Sequence, residues 1–230
     1  MFGQPTQSTP YDLHFSVLGI PVRVMPVFWL SAAFLTWFSG RLDLTLVGIV
    51  AVFVSILVHE LGHALMTRRL GGRSQIVLGF MGGYATTISH SRMGNILIAA
   101  AGPAAGLALW LIVRIVLRSP FGLTLERRSL FSFFLTSLEW MNLIWSLLNL
   151  LPIWPLDGGQ IAREVIGRFR TYDAWEVTLK LSIVVAVGAA VWFIYGQATA
   201  RQDNMLPILF FGLMAFQNFQ NLQMSGRGRW

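Results

Sequence analysis

A chain of 230 residues, 55% of them hydrophobic and 12% charged, carries about half the charge of an ordinary soluble domain, which argues against a soluble enzyme with a greasy core. Its net charge of +7 does not mark a nucleic-acid binder, because the basic residues stand in ones and twos between apolar runs and form no stripe. It has no cysteine, so any bound metal must use nitrogen and oxygen ligands.

The opening MFGQPTQSTP has neither a basic n-region nor an apolar core, so targeting is expected to fall to the first spanning segment. FSVLGIPVRV, Phe15 to Val24, reads as a strand, although its second part could also extend the short first span, 25–38. Taking about 20 apolar residues per crossing, further spans are predicted at 44–66, 94–117, 130–151, 177–195 and 205–219. Residues 72–92 have the β-branched, aromatic and Gly-punctuated character of a β-hairpin. The N-terminal strand is a candidate partner for it.

The expected fold is an all-α membrane protein, a polytopic bundle of about six transmembrane helices with a short membrane-associated β-hairpin or strand region. Its expected layout is a cytoplasmic N-terminal segment 1–25, a membrane core 26–222 and a basic tail 223–230. With six spans, one side holds Arg23, Arg68, Arg69, Arg73, Arg92, Arg163, Arg168, Arg170, Arg227 and Arg229. The other holds Arg41, Arg118, Arg127, Arg128 and Arg201. The positive-inside rule then puts both termini in the cytoplasm.

The second span contains HELGH, residues 59–63, in a setting where an ionisable side chain costs on the order of 2.5 to 3.5 kcal/mol. Residues four apart share a helical face, so His59 and His63 can offer nitrogens to one ion. Glu60 stands beside its open position. The arrangement suits a zinc hydrolase in which two His hold Zn2+, the metal acidifies a water, and Glu60 takes the proton. A rise of about 1.5 Å per residue puts His59 roughly 20 Å beyond the start of the span, inside the membrane toward the cytoplasmic face.

Catalytic zinc usually takes three protein ligands. His14 and His90 lie in polar or loop contexts. Asp157, in NLLPIWPLDGGQIAREVIGRFR, follows two prolines and precedes two glycines. Locally it serves equally well as the N-cap of a short amphipathic helix, and the need for a third ligand favours zinc. Glu139, Asn142, Ser146 and Asn149 share one face of the fourth span. The first three read as interhelical hydrogen-bonding groups, whereas Asn149, nearest Asp157, could donate to an oxyanion.

HELGH together with NLLPIWPLDGG makes the chain resemble the site-2 protease family of intramembrane zinc metalloproteases. The resemblance covers about residues 15 to 220. It implies that His59, His63 and Asp157 bind zinc, that Glu60 activates water, and that Asn149 helps hold the substrate or transition state. It also implies that AGPAAG, residues 101–106, is the family's Gly-Pro motif near the active site; on its own the stretch reads as a small-residue packing face. PDZ and nucleotide-sensing modules carried by many relatives have no room here, so the likeness is to the minimal branch.

The expected function is cleavage of single-span membrane-protein substrates in the bilayer, in regulated intramembrane proteolysis or in clearance of signal-peptide remnants. A bacterial-type plasma membrane is the expected location, and nucleic acid is not an expected partner. Oligomeric state is left open. Gln75, Val77, Gly79 and Phe80 are the candidate substrate-binding residues, through strand addition to an unwound substrate. A metal transporter, which would not need Glu60 beside the metal, and a catalytically silent scaffold, against which every motif residue is present, are the alternatives.

Overall fold

The computed structural model describes residues 9–37, 40–80, 82–85, 91–126, 129–200 and 205–227, with the side chains of 82–85, 200, 226 and 227 outside the description. His90, Arg127, Arg128, Arg201 and Arg229, and parts of the segments 1–25, 72–92 and 223–230, lie outside the described residues. Among the described residues the order is β1 (Leu13–Val17), β2 (Ile20–Val24), α1 (Pro26–Leu35), α2 (Leu42–Arg69), β3 (Ile76–Gly79) and β4 (Gly82–Ala85). There follow α3 (Arg92–Arg118), α4 (Pro120–Thr124), α5 (Leu130–Asn149), α6 (Asp157–Phe169), α7 (Ala174–Ala200) and α8 (Met205–Arg227).

Each predicted span falls on a helix. Four helices, α2, α3, α5 and α7, are long and apolar enough to cross a membrane. At ten residues α1 is short, and α8, although 23 residues long, carries Gln217, Asn218, Gln220, Asn221 and Gln223 in its second half. That half also takes in the start of the expected basic tail.

The first span is not extended backward. Leu18 and Gly19 have φ of 51° and 73°, which suits a two-residue hairpin turn, and Val17 pairs with Ile20 across it. Pro26 then opens α1 at its first turn, where its missing N–H costs nothing.

The chain divides into two compact units, Met1–Ser89 with Ala101–Ser146, and His90–Ala100 with Leu147–Trp230. The first contains a four-stranded sheet in the order β1-β2-β3-β4. β2 pairs antiparallel with β1 and parallel with β3, in register Val22↔Ile76 and Val24↔Leu78. Alternation turns Ile20, Val22, Val24, Ile76 and Leu78 to one face, where they pack with Phe28, Ala32, Val52, Ile56 and Ala64. α2 begins with Asp43 and ends with Arg68 and Arg69, charges that complement its dipole. In the second unit α7 packs along α8 through Ala186, Phe193 and Phe211 around the buried Ile153. The rings of Phe193 and Phe211 stack with centroids 5.8 Å apart.

Candidate metal centre

HELGH stays helical throughout, and His59, Glu60 and His63 are only 4%, 5% and 7% exposed. The i,i+4 spacing brings the two imidazoles together with Nε2 atoms 3.1 Å apart. Two nitrogens about 2.0 to 2.1 Å from a tetrahedral zinc stand roughly 3.3 Å from each other, so this pair fits one shared ion. The packing of α3 sets the ring position: a Cβ at Gly102 would fall on the His63 imidazole, and one at Gly62 on the Ala101 carbonyl. The AGPAAG stretch is therefore both a close-packing face and a wall behind a candidate ligand.

Asp157 is held by a separate set of bonds. After α5 ends at Asn149, the chain turns through Ile153 N–H to Leu151 O at 2.7 Å and Leu156 N–H to Ile153 O at 2.8 Å. Ser182 Oγ on α7 accepts from Trp154 N–H at 2.9 Å, and Asn218 Nδ2 on α8 donates to Trp154 O at 2.7 Å. Gly159 lets α6 start directly against this turn, since a Cβ there would meet the Ile153 backbone at 2.5 Å. The N-cap is Leu156 and Asp157 is the first helical residue, which removes the N-cap reading of this aspartate. Its carboxylate, 6% exposed, still benefits from the helix dipole.

His59, His63 and Asp157 form a buried group whose three ligand atoms lie within 4.8 Å of one another. Two imidazoles and a carboxylate, all nitrogen or oxygen donors, suit Zn2+ and match the three protein ligands of catalytic zinc sites.

The peptidase family M50 profile matches residues 119–194. A zinc metalloprotease of Methanocaldococcus jannaschii is 28% identical over 67% of this chain and 45% of its own length. Stage IV sporulation protein FB of Bacillus subtilis is 25% identical over 76% of this chain and 58% of its own. The structure of a site-2 protease from Methanocaldococcus jannaschii superimposes with a TM-score of 0.62 at 24% identity, covering 92% of this chain and 95% of that one. The chain shares the fold of that site-2 protease and is similar in sequence to zinc metalloproteases. It spans about half the length of the curated relatives it matches. The shared fold and the apolar helices make it an integral membrane protein whose buried His-His-Asp group suits zinc.

The other predicted residues distribute unevenly around this centre. Asn149 is the last residue of α5 and half-buried, while His14 is exposed on β1. Gln75 is exposed, Val77 is buried at 5%, and Phe80 is 70% exposed. β3 already has β2 on one side and β4 on the other. The backbone of Val77 and Leu78 is thus paired on both sides; among the described strands, β1 and β4 form the sheet edges. Glu139 pairs with Arg114 at 2.7 Å, and Asn142 donates to Ser55 Oγ at 2.9 Å, as expected of interhelical bonding groups. Ser146 is buried beside Gly106. Sequence reasoning missed Ser182 and Asn218, both fully buried. For Ser182 the available signal was a polar residue in an apolar helix, which needs a partner; Asn218 stands in a polar run and gave none.

Proposed function

We propose that this chain is an intramembrane zinc metalloendopeptidase that hydrolyses peptide bonds within or beside the transmembrane segments of single-span membrane proteins. The observation that carries this reading is the buried grouping of His59, His63 and Asp157, two of them on a helix long enough to cross a membrane. A zinc ion held there supplies a Lewis acid to polarise a scissile carbonyl. Glu60, next to His59, takes the proton from the attacking water on its carboxylate and returns it to the leaving amine. Asn149 offers its Nδ2–H to the oxyanion.

A substrate helix must unwind before its peptide bonds can be attacked, and a sheet edge can pair with the exposed backbone. With β3 interior, the edge that serves this role is β4, next to Gly79 and Phe80. The arginine distribution favours cytoplasmic termini in a bacterial-type plasma membrane.

The test is cleavage of a membrane-embedded single-span reporter by purified, reconstituted full-length chain, with zinc content measured in parallel. Wild type should cut, and Glu60→Gln should lose at least about a hundredfold in rate while keeping its zinc. Equal cutting by the two proteins would sink the protease reading.

A further inference from the structure

Away from the metal group, the second unit contains a cavity of about 260 Å³ lined by Arg92, Arg163, Glu164, Gly167, Tyr172 and Trp175, among others. We propose that it is a binding site for a phosphate group, and that an anionic phospholipid headgroup supplies that phosphate.

Two guanidiniums are set there by different means. Arg163 lies over the rings of Trp154 and Trp175, 5.7 and 5.0 Å from their centroids, and the two indoles meet edge to face at 5.0 Å. Such cation–π packing uses the guanidinium's charge without spending its N–H donors on an acceptor, so they can form a fork with phosphate oxygens. Arg92 lies over Gly167, where a Cβ would meet its Nη1 at 2.6 Å. Glycine at this buried position makes room for the second cation. Glu164, the one acid lining the cavity, accepts from Asn95 Nδ2 at 2.9 Å. No described carboxylate is within salt-bridge distance of either arginine. The lining therefore has a net charge of +1, from two arginines against one glutamate, which selects an anion.

Position decides the source of that phosphate. Arg92 opens α3 and Ala174 opens α7, two of the helices long and apolar enough to cross a membrane. The cavity thus sits where crossing segments begin, at the depth of lipid headgroups, where basic pockets recognise anionic lipids. Phe169 and Tyr172, 79% and 97% exposed, are aromatic residues of the kind that anchor at this interface.

Native mass spectrometry of the full-length protein in detergent tests the assignment, with phosphatidylglycerol, phosphatidylcholine or inorganic phosphate added. Wild type should retain phosphatidylglycerol in preference to phosphatidylcholine. Arg92→Gln and Arg163→Gln should each weaken retention about tenfold, as expected for loss of a charge-assisted fork. Gly167→Ala, which keeps every charge but displaces Arg92, should weaken it several-fold, and Arg168→Gln, one residue outside the lining, should leave it within about twofold. Phosphatidylglycerol retention that follows this pattern upholds the lipid headgroup. Inorganic phosphate following it, with lipid retention unchanged, would keep phosphate recognition but reassign the source to a soluble phosphate ester. If neither ligand responds to Arg92→Gln, Arg163→Gln or Gly167→Ala, the proposal is overturned.

Discussion

A single glycine controls how near α3 comes to a candidate metal ligand. Because Gly102 lies against the His63 ring, Gly102→Ala should tilt that imidazole and weaken zinc affinity by about ten- to a hundredfold, in the range of changes that misplace a ligand. Alanine is also the better helix former by about 1 kcal/mol, so the variant should not lose helical content. Chelator competition followed by zinc analysis, alongside circular dichroism, reads both effects; unchanged affinity would count against His63 as a ligand. Residues of this kind differ in how far sequence reveals them. The proximity of His59 and His63 was legible because helical geometry converts an i,i+4 spacing into nearness with no further information. Asp157 was legible only as one of two readings, since its local sequence equally fits an N-cap. Ser182 and Asn218 were not, because their partner is the backbone of Trp154, far away in sequence.

Helices and strands carry two further expectations. Asn142 on α5 donates to Ser55 Oγ on α2 and to Leu138 O. Asn142→Ala should destabilise the protein by about 0.6 to 1.7 kcal/mol, from the average to the largest interhelical bond measured in a membrane protein, visible as a lower unfolding midpoint in detergent. The hairpin of β1 and β2 is tied to the preceding turn by Asp12, whose carboxylate accepts from the Thr9 hydroxyl at 2.5 Å, from Thr9 N–H at 3.0 Å and from Arg23 Nε at 2.5 Å. The Thr9 hydroxyl is the largest influence holding the Asp12 carboxyl below its ordinary value; burial opposes it, and the Thr9 amide and Arg23 add to the lowering. A lowered folded-state pKa stabilises the fold above the unfolded value of about 3.9, and this contribution is lost as pH falls through the folded value. The gap in unfolding midpoint between wild type and Asp12→Asn should therefore be full at pH 6 and close below about pH 4. A gap that does not change with pH would show that Asp12 contributes no proton linkage. Hydropathy marked the helices because a crossing needs a long apolar run. It left open the choice of strand or helix at Val17 to Val24, where the φ values of Leu18 and Gly19 decide.

Over the whole chain, the absence of cysteine makes single-cysteine labelling clean. Met93, in the first turn of α3, and Leu123, in α4 just beyond its end, are 58% and 78% exposed, and the 27 residues of α3 extend about 40 Å. In intact cells Leu123→Cys should react with a membrane-impermeant maleimide and Met93→Cys should react only after lysis; the reverse pattern would invert the orientation drawn from the arginines. Long-range pairing was the least legible level. Nothing local in VRV or IVLG specifies that β2 and β3 run parallel; only the closed sheet shows it.

That parallel pairing has a topological consequence. Parallel neighbours need a long connection that returns the chain to its starting end, and between β2 and β3 the connection consists of α1 and α2. Strands hydrogen-bonded to each other lie on the same side of the bilayer, so the number of crossings between them must be even. α2, with 28 residues, supplies one crossing. With α2 as one crossing, the other would fall to the connection that contains α1, which at about 15 Å covers only about half of a hydrocarbon core roughly 30 Å thick. The sheet thus constrains the parity of any crossings between its strands, and a segment too short by hydropathy becomes the candidate return leg.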